Sequence, residues 1–564
     1  MGNKAKYLER PWLQHYHESI PSDVAIPERT LNEVFDEAVK KYGNKTAFIF
    51  YGSKITYQQL KDYSDRFATA LYDLGVRKGD RVALLLLTCP QFVASLFGAL
   101  KIGAIITPIS PVYVSVEVKY QLEDSGADTI VCQDMLYDTV EKTGLEMKRV
   151  ILTDIAEFLP PLKRFLGKSM LRSVYKKMEA PSRKILEREG FYQFKDLIKK
   201  YPPSPPKVAI DPKEDIAALP YSGGTTGWPK GVMITQYNYI AAISELTAFW
   251  YFLKEGKEVG IVYQPLYHIM GQMGVVAGLV RGDTMVMFTT PDLDDILSAI
   301  DSYGVTMFAG APTVFELLRD HDKTDRVDWK RLKFILAGAD ALLEDTAKGW
   351  EQRTGVKIHE AYGMTENASA SHISPLGKAR PGSFGIPLPN TVAAIVDPES
   401  TEFLPPGEIG ELIMRGPQMM KGYWNKPEET ARTLVNIDGE TWLRTGDLVK
   451  MSEDGYFYFY DRKKDMIKYK GYQVFAREVE EVISQHPQVK EVGVIGVPDP
   501  RVGENIKAIV ILETEARGKV SEEDIMKFCE GKMAHHKVPK FVEFRGEIPK
   551  TDIGKVSRRE LREE

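Results

Sequence analysis

The chain has 564 residues, of which 43% are apolar and 27% are charged, so its length allows several domains of ordinary size. This composition is typical of soluble globular proteins and excludes collagen-like and disordered classes. The 74 basic and 79 acidic residues give a formal charge of −5, which argues against binding to nucleic acid. Cys89, Cys132 and Cys529 form no CxxC pair, so we expect neither a disulfide framework nor a zinc site. We also expect a cytoplasmic location.

The N-terminal region alternates between helical and strand periodicity over residues 30–150. Thr30 is a predicted N-cap for a helix over 30–42, whose apolar face carries Leu31, Val34, Phe35 and Val39. Residues 81–87 and 129–132 have the apolar pattern of strands, and neither is long enough to cross a bilayer. Strands that alternate with helices predict βαβ units and a parallel sheet.

A basic segment interrupts this pattern. Residues 161–200 contain 12 Lys or Arg against 4 Asp or Glu, with apolar residues at roughly helical spacing. This pattern predicts either a basic amphipathic helix in weak contact with an anionic membrane surface or a solvated insertion. The insertion extends to residue 206 through a proline-rich connector.

The second half of the chain predicts a β-rich portion at 383–460 and then a small α+β unit with a helix at 476–485 and a strand at 491–497. The basic stretch 461–465 lies between them. We therefore predict an α/β protein with a large N-terminal domain (1–460) of parallel-rich sheets, a hinge (461–465) and a small mobile C-terminal domain (466–564).

A glycine-rich sequence, YSGGTTGWPKGV at 221–232, follows a predicted strand at 216–219. Glycines allow backbone N–H groups to converge on an anion, and the hydroxyls and Lys230 add donors and charge. The loop is not a Walker A motif, because that motif places its lysine directly after the last glycine. The sequence predicts a phosphate-binding loop of another kind.

This loop resembles the phosphate loop of the acyl-adenylate-forming superfamily, and the resemblance continues in order along the chain. YGMTE at 362–366, TGD at 445–447, DRKKDMIK at 461–468 and PKTDIGK at 549–555 are similar to four further motifs of that family. The form of the loop and of the 461–468 segment is most similar to medium- and long-chain fatty acyl-CoA ligases. The resemblance implies Mg²⁺ as cofactor and ATP and CoA as substrates. It also implies a small-molecule carboxylic acid as acyl donor.

For the nucleotide, the resemblance implies one role for each matching position. The β- and γ-phosphates would be bound by Ser222, Gly223, Gly224, Thr225, Thr226, Gly227 and Lys230. Glu366 would hold Mg²⁺, Thr365 would bind the α-phosphate, and Lys555 would stabilise charge between the acyl carboxylate and that phosphate. Around the nucleoside it implies Tyr362, Gly338 and Ala339 at adenine, and Asp447 with Arg462 at the ribose.

The remaining implied roles concern the acyl group, CoA and the hinge. His268 would form a wall near the acyl carboxylate, Lys464 would be the hinge residue, and Gly471 and Tyr472 would contact CoA. Because Gly363 has no side chain to block the pocket, the resemblance implies an acyl group longer than acetate. Gln272 leaves a short hydroxy acid such as hydroxybutyrate open as an alternative.

Two further functions remain open from the sequence. The same first half-reaction would also serve a carrier-protein-loading or luciferin-oxidising enzyme. A relative that only binds nucleotide is a third possibility, against which the intact Lys555, Glu366 and Asp447 argue.

Overall fold

The computed structural model describes residues 2–160, 183–222, 228–290, 293–340, 342–470, 472–550 and 556–563. Much of the basic insertion (161–182) lies outside these residues, so the membrane contact stays a prediction. Within the described part of the chain, no helix is both long and apolar enough to cross a membrane.

Helices and strands alternate through most of the chain. The helices are α1 (Asn3–Leu8), α2 (Leu31–Tyr42), α3 (Tyr57–Asp73), α4 (Pro90–Lys101), α5 (Ser115–Ser125), α6 (Tyr137–Glu141), α7 (Phe194–Lys200), α8 (Gln236–Phe249), α9 (Ile269–Val280), α10 (Leu293–Ser302), α11 (Pro312–Asp320), α12 (Glu344–Thr354), α13 (Pro427–Thr433), α14 (Ala476–Ser484), α15 (Glu522–Cys529) and α16 (Arg558–Glu563). The strands are β1 (Thr46–Phe50), β2 (Ser53–Thr56), β3 (Arg81–Leu85), β4 (Ile105–Pro108), β5 (Thr129–Gln133), β6 (Arg149–Thr153), β7 (Phe191–Gln193), β8 (Ile216–Ala218), β9 (Tyr221–Ser222), β10 (Lys230–Thr235), β11 (Val259–Val262), β12 (Thr284–Met287), β13 (Met307–Gly310), β14 (Phe334–Ala337), β15 (His359–Met364), β16 (Ser369–Ile373), β17 (Ser383–Pro387), β18 (Val392–Val396), β19 (Ile409–Arg415), β20 (Gly422–Tyr423), β21 (Leu434–Ile437), β22 (Glu440–Met451), β23 (Phe457–Arg462), β24 (Ile467–Tyr469), β25 (Tyr472–Val474), β26 (Val489–Asp499), β27 (Gly503–Leu512) and β28 (Phe541–Phe544).

The start of helix α2 illustrates how local signals set these elements. The Thr30 hydroxyl accepts a hydrogen bond from the backbone N–H of Glu33 at 3.2 Å, and the Glu33 carboxylate accepts one from the Thr30 N–H at 2.7 Å. This reciprocal pair is a capping box, which satisfies backbone donors that the helix itself leaves free. Phe35 and Val39 are buried on one face of α2, as predicted.

The chain divides into two compact units. The large unit comprises residues 12–392 and 415–436. One of its sheets has the order β17-β16-β15-β14-β13-β11-β12-β1-β2, with parallel pairing from β1 to β15, and the second has the order β20-β10-β8-β4-β3-β5-β6-β7. These sheets confirm the predicted α/β class. Buried side chains of one sheet and its helices, among them Phe308, Phe315 and Trp350, form a core.

The small unit comprises residues 1–11, 393–414 and 437–564. It contains the β-rich segment β18-β19-β22-β23 and a sheet of order β25-β24-β27-β26, to which β28 is paired parallel. The small unit thus includes residues 393–414 and 437–460, which the sequence places in the predicted N-terminal domain. These segments pair with one another through β19, β22 and β23. The hinge at 461–465 stays a prediction.

Candidate active site

A buried carboxylate lies at the centre of the predicted nucleotide site in the large unit. Glu366 is only 6% exposed and follows β15 in a short 3-10 turn over Thr365–Asn367. Its Oε1 accepts hydrogen bonds from the Ser222 hydroxyl at 2.8 Å and from the Tyr423 hydroxyl at 2.9 Å. Since Ser222 ends β9, this bond brings the start of the phosphate loop to the predicted metal ligand.

Two hydrogen bonds hold the turn that carries Glu366. The Asn367 side chain accepts from the Met364 N–H at 2.8 Å, and the Glu366 carbonyl accepts from the Met420 N–H at 2.8 Å. Ala368 has φ of 53°, a left-handed conformation that non-glycine residues rarely adopt. This geometry reverses the chain from β15 into β16 and holds the Glu366 carboxylate toward Ser222.

Lys230 begins β10 and lies beside Tyr423, the residue whose hydroxyl donates to Glu366. Its ammonium is 2.8 Å from a carboxylate oxygen of Glu429 in α13 and 4.5 Å from the centre of the Tyr423 ring. The hydrogen bond from Lys230 holds the pKa of Glu429 below its usual value. A polyphosphate bound at Lys230 would therefore compete with Glu429 for its ammonium.

Two parts of the predicted machinery lie outside the described residues. They are the loop residues Gly223, Gly224, Thr225, Thr226 and Gly227, and the segment 551–555 with Lys555. Gly471 also lies outside them. Their roles stay predictions from the sequence.

An apolar cavity of about 160 Å³ opens beside the predicted adenine segment. Five of the predicted site residues line it: His268, Gly338, Ala339, Tyr362 and Gly363. The rest of its lining comes mainly from α8, α9 and the strands β11 to β16, and no described residue of this lining is an Asp, Glu, Lys or Arg. Walls of this composition favour an apolar group over a charged one.

The helix α9 presents glycines to this cavity. Gly271, Gly274 and Gly278 occur at positions i, i+3 and i+7 and all line the cavity, so they share one face of the helix. A Cβ at Gly274 would meet no atom within 4 Å, whereas one at Gly278 would overlap the Met285 methyl group. The spacing of these glycines can be read from the sequence, but they were not among the predicted site residues.

Gln272 is not among the residues that line this cavity, and its place in the acyl pocket stays a prediction. Its side chain is 1% exposed and accepts a hydrogen bond from the Tyr239 hydroxyl at 2.8 Å. Gln272 follows Gly271 in α9, and successive residues of a helix point about 100° apart. Its side chain therefore points away from the glycine face.

Gly363 lines the cavity, and the pairing of β15 with β16 also leaves no room for a side chain at this position. A Cβ there would lie 1.8 Å from the Ser369 carbonyl oxygen and 2.7 Å from the Ala370 Cα. Strand pairing between β15 and β16 is irregular between Tyr362 and Gly363. The pairing of β15 with β16 therefore also requires a glycine here, and the role of Gly363 in the acyl pocket stays a prediction.

We expect Gly363→Ala to destabilise the protein and to lower activity equally on all chain lengths. Overpacking against backbone costs about 1–3 kcal/mol, and the strain falls on the strand that leads to Glu366. Thermal unfolding and kcat/KM over a chain-length series check this. A changed chain-length profile at unchanged stability would contradict it.

Tyr362 is held edge-on and tilted against neighbouring rings. Its ring centre is 4.6 Å from that of Phe384 and 5.7 Å from that of His372. Ala339, after β14, has φ of 70°, and with Gly338 it adds little side-chain bulk on this side of the cavity. A planar ring can stack on Tyr362, which suits the predicted adenine contact.

The other predicted residues lie in the small unit. Asp447 and Arg462 pair across β22 and β23, with 3.5 Å between the Arg462 Nε and an Asp447 carboxylate oxygen. Lys464 lies in the turn after β23. Tyr472 is 56% exposed and stacks on His536 at 4.4 Å.

Comparison with known proteins supports the resemblance that the sequence motifs indicate. A family model described as AMP-binding enzyme matches residues 35–424, and one described as AMP-binding enzyme C-terminal domain matches residues 478–555. A long-chain-fatty-acid–CoA ligase of Bacillus subtilis is 38% identical over 560 residues, covering 99% of this chain and 98% of the relative. One of Escherichia coli O157:H7 is 35% identical over 566 residues, with 99% and 98% covered.

Solved structures share the fold. The anthranilate CoA ligase AuaEII in complex with anthranoyl-AMP superposes with a TM-score of 0.80 at 28% identity. The match covers 95% of this chain and 98% of that one.

Proposed function

The chain belongs to the AMP-binding enzyme family and is an AMP-forming acyl-CoA synthetase, and we propose that its acid substrate is a medium- to long-chain fatty acid. The enzyme uses ATP, Mg²⁺ and CoA, and it forms acyl-CoA, AMP and pyrophosphate through an acyl-adenylate. The observation that carries the chain-length proposal is the cavity, whose described lining holds no charged side chain. Burial of apolar surface contributes about 0.8 kcal/mol per methylene group, which favours a long hydrocarbon chain there.

The residues around Glu366 suit a magnesium ion. Among the described residues, no group of three or more His, Cys, Asp or Glu is arranged to hold a metal alone. Mg²⁺ in nucleotide sites is bound by one or two carboxylates together with phosphates and waters, and the single carboxylate of Glu366 beside Ser222 provides this. The ion would draw negative charge from the phosphates during attack by the acyl carboxylate.

The protein's own residues would position two anions for reaction. Ser222 and Lys230 would bind the polyphosphate and Thr365 the α-phosphate, while Tyr362 orients adenine. Lys555 would neutralise the charge that develops between carboxylate and phosphate. Electrostatic stabilisation of this kind is usually the largest single contribution to catalysis. His268, at the start of α9 and on the cavity wall, is the candidate residue near the acyl carboxylate.

A carboxylate panel tests the proposal. Acids from C2 to C18, including hydroxy acids, are supplied with ATP and Mg²⁺, and AMP is measured with and without CoA. CoA-dependent thioester that rises from short to long chains is expected. A maximum at hydroxybutyrate would favour the short hydroxy-acid alternative. Adenylate without CoA transfer would favour carrier loading, and no AMP would favour a non-catalytic relative.

We expect Lys464→Pro to preserve adenylation and to lower thioester formation. Proline fixes φ near −65° and limits the torsion change that a hinge must absorb. Pyrophosphate release and acyl-CoA are measured separately, with Lys464→Ala as the control that removes the side chain and leaves φ free. Equal losses in both half-reactions would remove the hinge role.

A further inference from the structure

Tyr423 contacts both the predicted Mg²⁺ ligand Glu366 and the predicted phosphate-binding residue Lys230, although no sequence motif pointed to it. Its hydroxyl donates to Glu366 Oε1 at 2.9 Å, and its ring lies 4.5 Å from the Lys230 ammonium. We propose that Tyr423 is a positioning residue for ATP binding, holding the carboxylate of Glu366 for magnesium and the ammonium of Lys230 for the polyphosphate. The inference rests on the proposed function, because the roles of Glu366 and Lys230 belong to it.

The backbone around Tyr423 is tied to the strand that Lys230 begins. Tyr423 pairs with Val232 across β20 and β10, and the Trp424 N–H donates to the Gly231 carbonyl at 2.8 Å. The Tyr423 N–H donates to the Thr430 hydroxyl at 2.9 Å. The position of the ring relative to Lys230 is therefore set by strand pairing.

The hydroxyl of Tyr423 orients Glu366 through one oxygen. Both Ser222 and Tyr423 donate to Oε1, while within the described part of the chain no hydrogen bond reaches Oε2. With Oε1 held in place, Oε2 is oriented for a metal ion, and partners of this kind commonly change metal affinity 10- to 100-fold.

The ring of Tyr423 acts on Lys230 by a different interaction. An ammonium over an aromatic face is attracted by the electron density of the ring. Glu429 holds the same ammonium from another direction at 2.8 Å. When the polyphosphate displaces Glu429, the ring still keeps Lys230 beside the loop.

These two contacts can be separated by substitution. Tyr423→Phe removes the hydroxyl and keeps the ring, so it should weaken only the part of ATP binding that depends on Mg²⁺. Tyr423→Leu removes both, so it should also weaken ATP binding without metal, by about 2- to 5-fold. Tyr57→Phe is a matched control, because Tyr57 is also buried and its hydroxyl donates to a backbone carbonyl, that of Asp283, at 2.6 Å.

The experiment is calorimetric titration of the full-length protein with ATP, without carboxylic acid, in EDTA and at a series of Mg²⁺ concentrations. For Tyr423→Phe we expect about 10-fold weaker binding at limiting Mg²⁺, recovery when Mg²⁺ is raised about 10-fold, and a change of less than 2-fold in EDTA. Tyr57→Phe should match the unsubstituted protein.

Recovery at high Mg²⁺ distinguishes lost positioning from misfolding, since a misfolded protein would not regain affinity. An unchanged Mg²⁺ dependence in Tyr423→Phe, or an equal loss with and without metal, would overturn the proposal. Failure of the proposed function has a different signature. In that case the unsubstituted protein would bind ATP with Mg²⁺ but form no acyl-adenylate with any acid of the panel.

Discussion

Replacing Lys555 with alanine is expected to slow acyl-adenylate formation by about 10²–10³, which corresponds to roughly 3–4 kcal/mol of transition-state stabilisation. Lys555 ends the PKTDIGK segment, and its predicted role is to supply a positive charge where the two anions meet. Its charge matters most while the bond between carboxylate and α-phosphate forms, so affinity for ATP should change much less. Pyrophosphate release in single turnover measures the first effect, and ATP titration measures the second.

The second half-reaction provides the control for Lys555. Supplied acyl-AMP and CoA should still give thioester with the Lys555→Ala protein, because that step does not need charge between carboxylate and phosphate. Lys490→Ala, at an exposed lysine of the same unit, should affect neither step. Equal loss of both half-reactions in Lys555→Ala would show that the assigned role is wrong.

Substitution of Gly274 is expected to shorten the acyl chains that the enzyme accepts. Gly274 lines the cavity on the glycine face of α9, and a Cβ there meets nothing within 4 Å. Gly274→Trp should therefore fill the cavity without clashing with the backbone. We expect kcat/KM for a C16 acid to fall about 10- to 200-fold relative to that for a C6 acid.

The same position supplies graded controls. Gly274→Ala and Gly274→Leu should shift the preference by smaller steps that follow side-chain volume. Each replaces a glycine inside a helix, which favours helix formation by up to about 1 kcal/mol, so the variants should keep their thermal stability. A chain-length profile that is the same in all three variants would mean that the acyl chain does not lie along α9.

The structure also shows a difference between Gly363 and Gly274 that the sequence does not. Both Gly363 and Gly274 line the cavity, and Gly363 stood in the motif that the resemblance made informative. The pairing of β16 with β15 brings the Ser369 carbonyl to 1.8 Å from the Cβ position of Gly363, whereas Gly274 faces open space. Which neighbour approaches a glycine depends on strand register, which the local sequence does not specify.

The sequence by itself determined the α/β class, many helix and strand positions and the reaction class. Helix caps such as Thr30 with Glu33, the apolar periodicities and the ordered motifs act over a few residues, so they are present in the sequence before any fold is known. Only the tertiary structure decided that Tyr423 joins Glu366 to Lys230, that Glu429 pairs with Lys230 across 199 positions, and that Gln272 lies off the cavity. These facts depend on which strands become neighbours and how far each helix is rotated, and such long-range packing leaves no local signal.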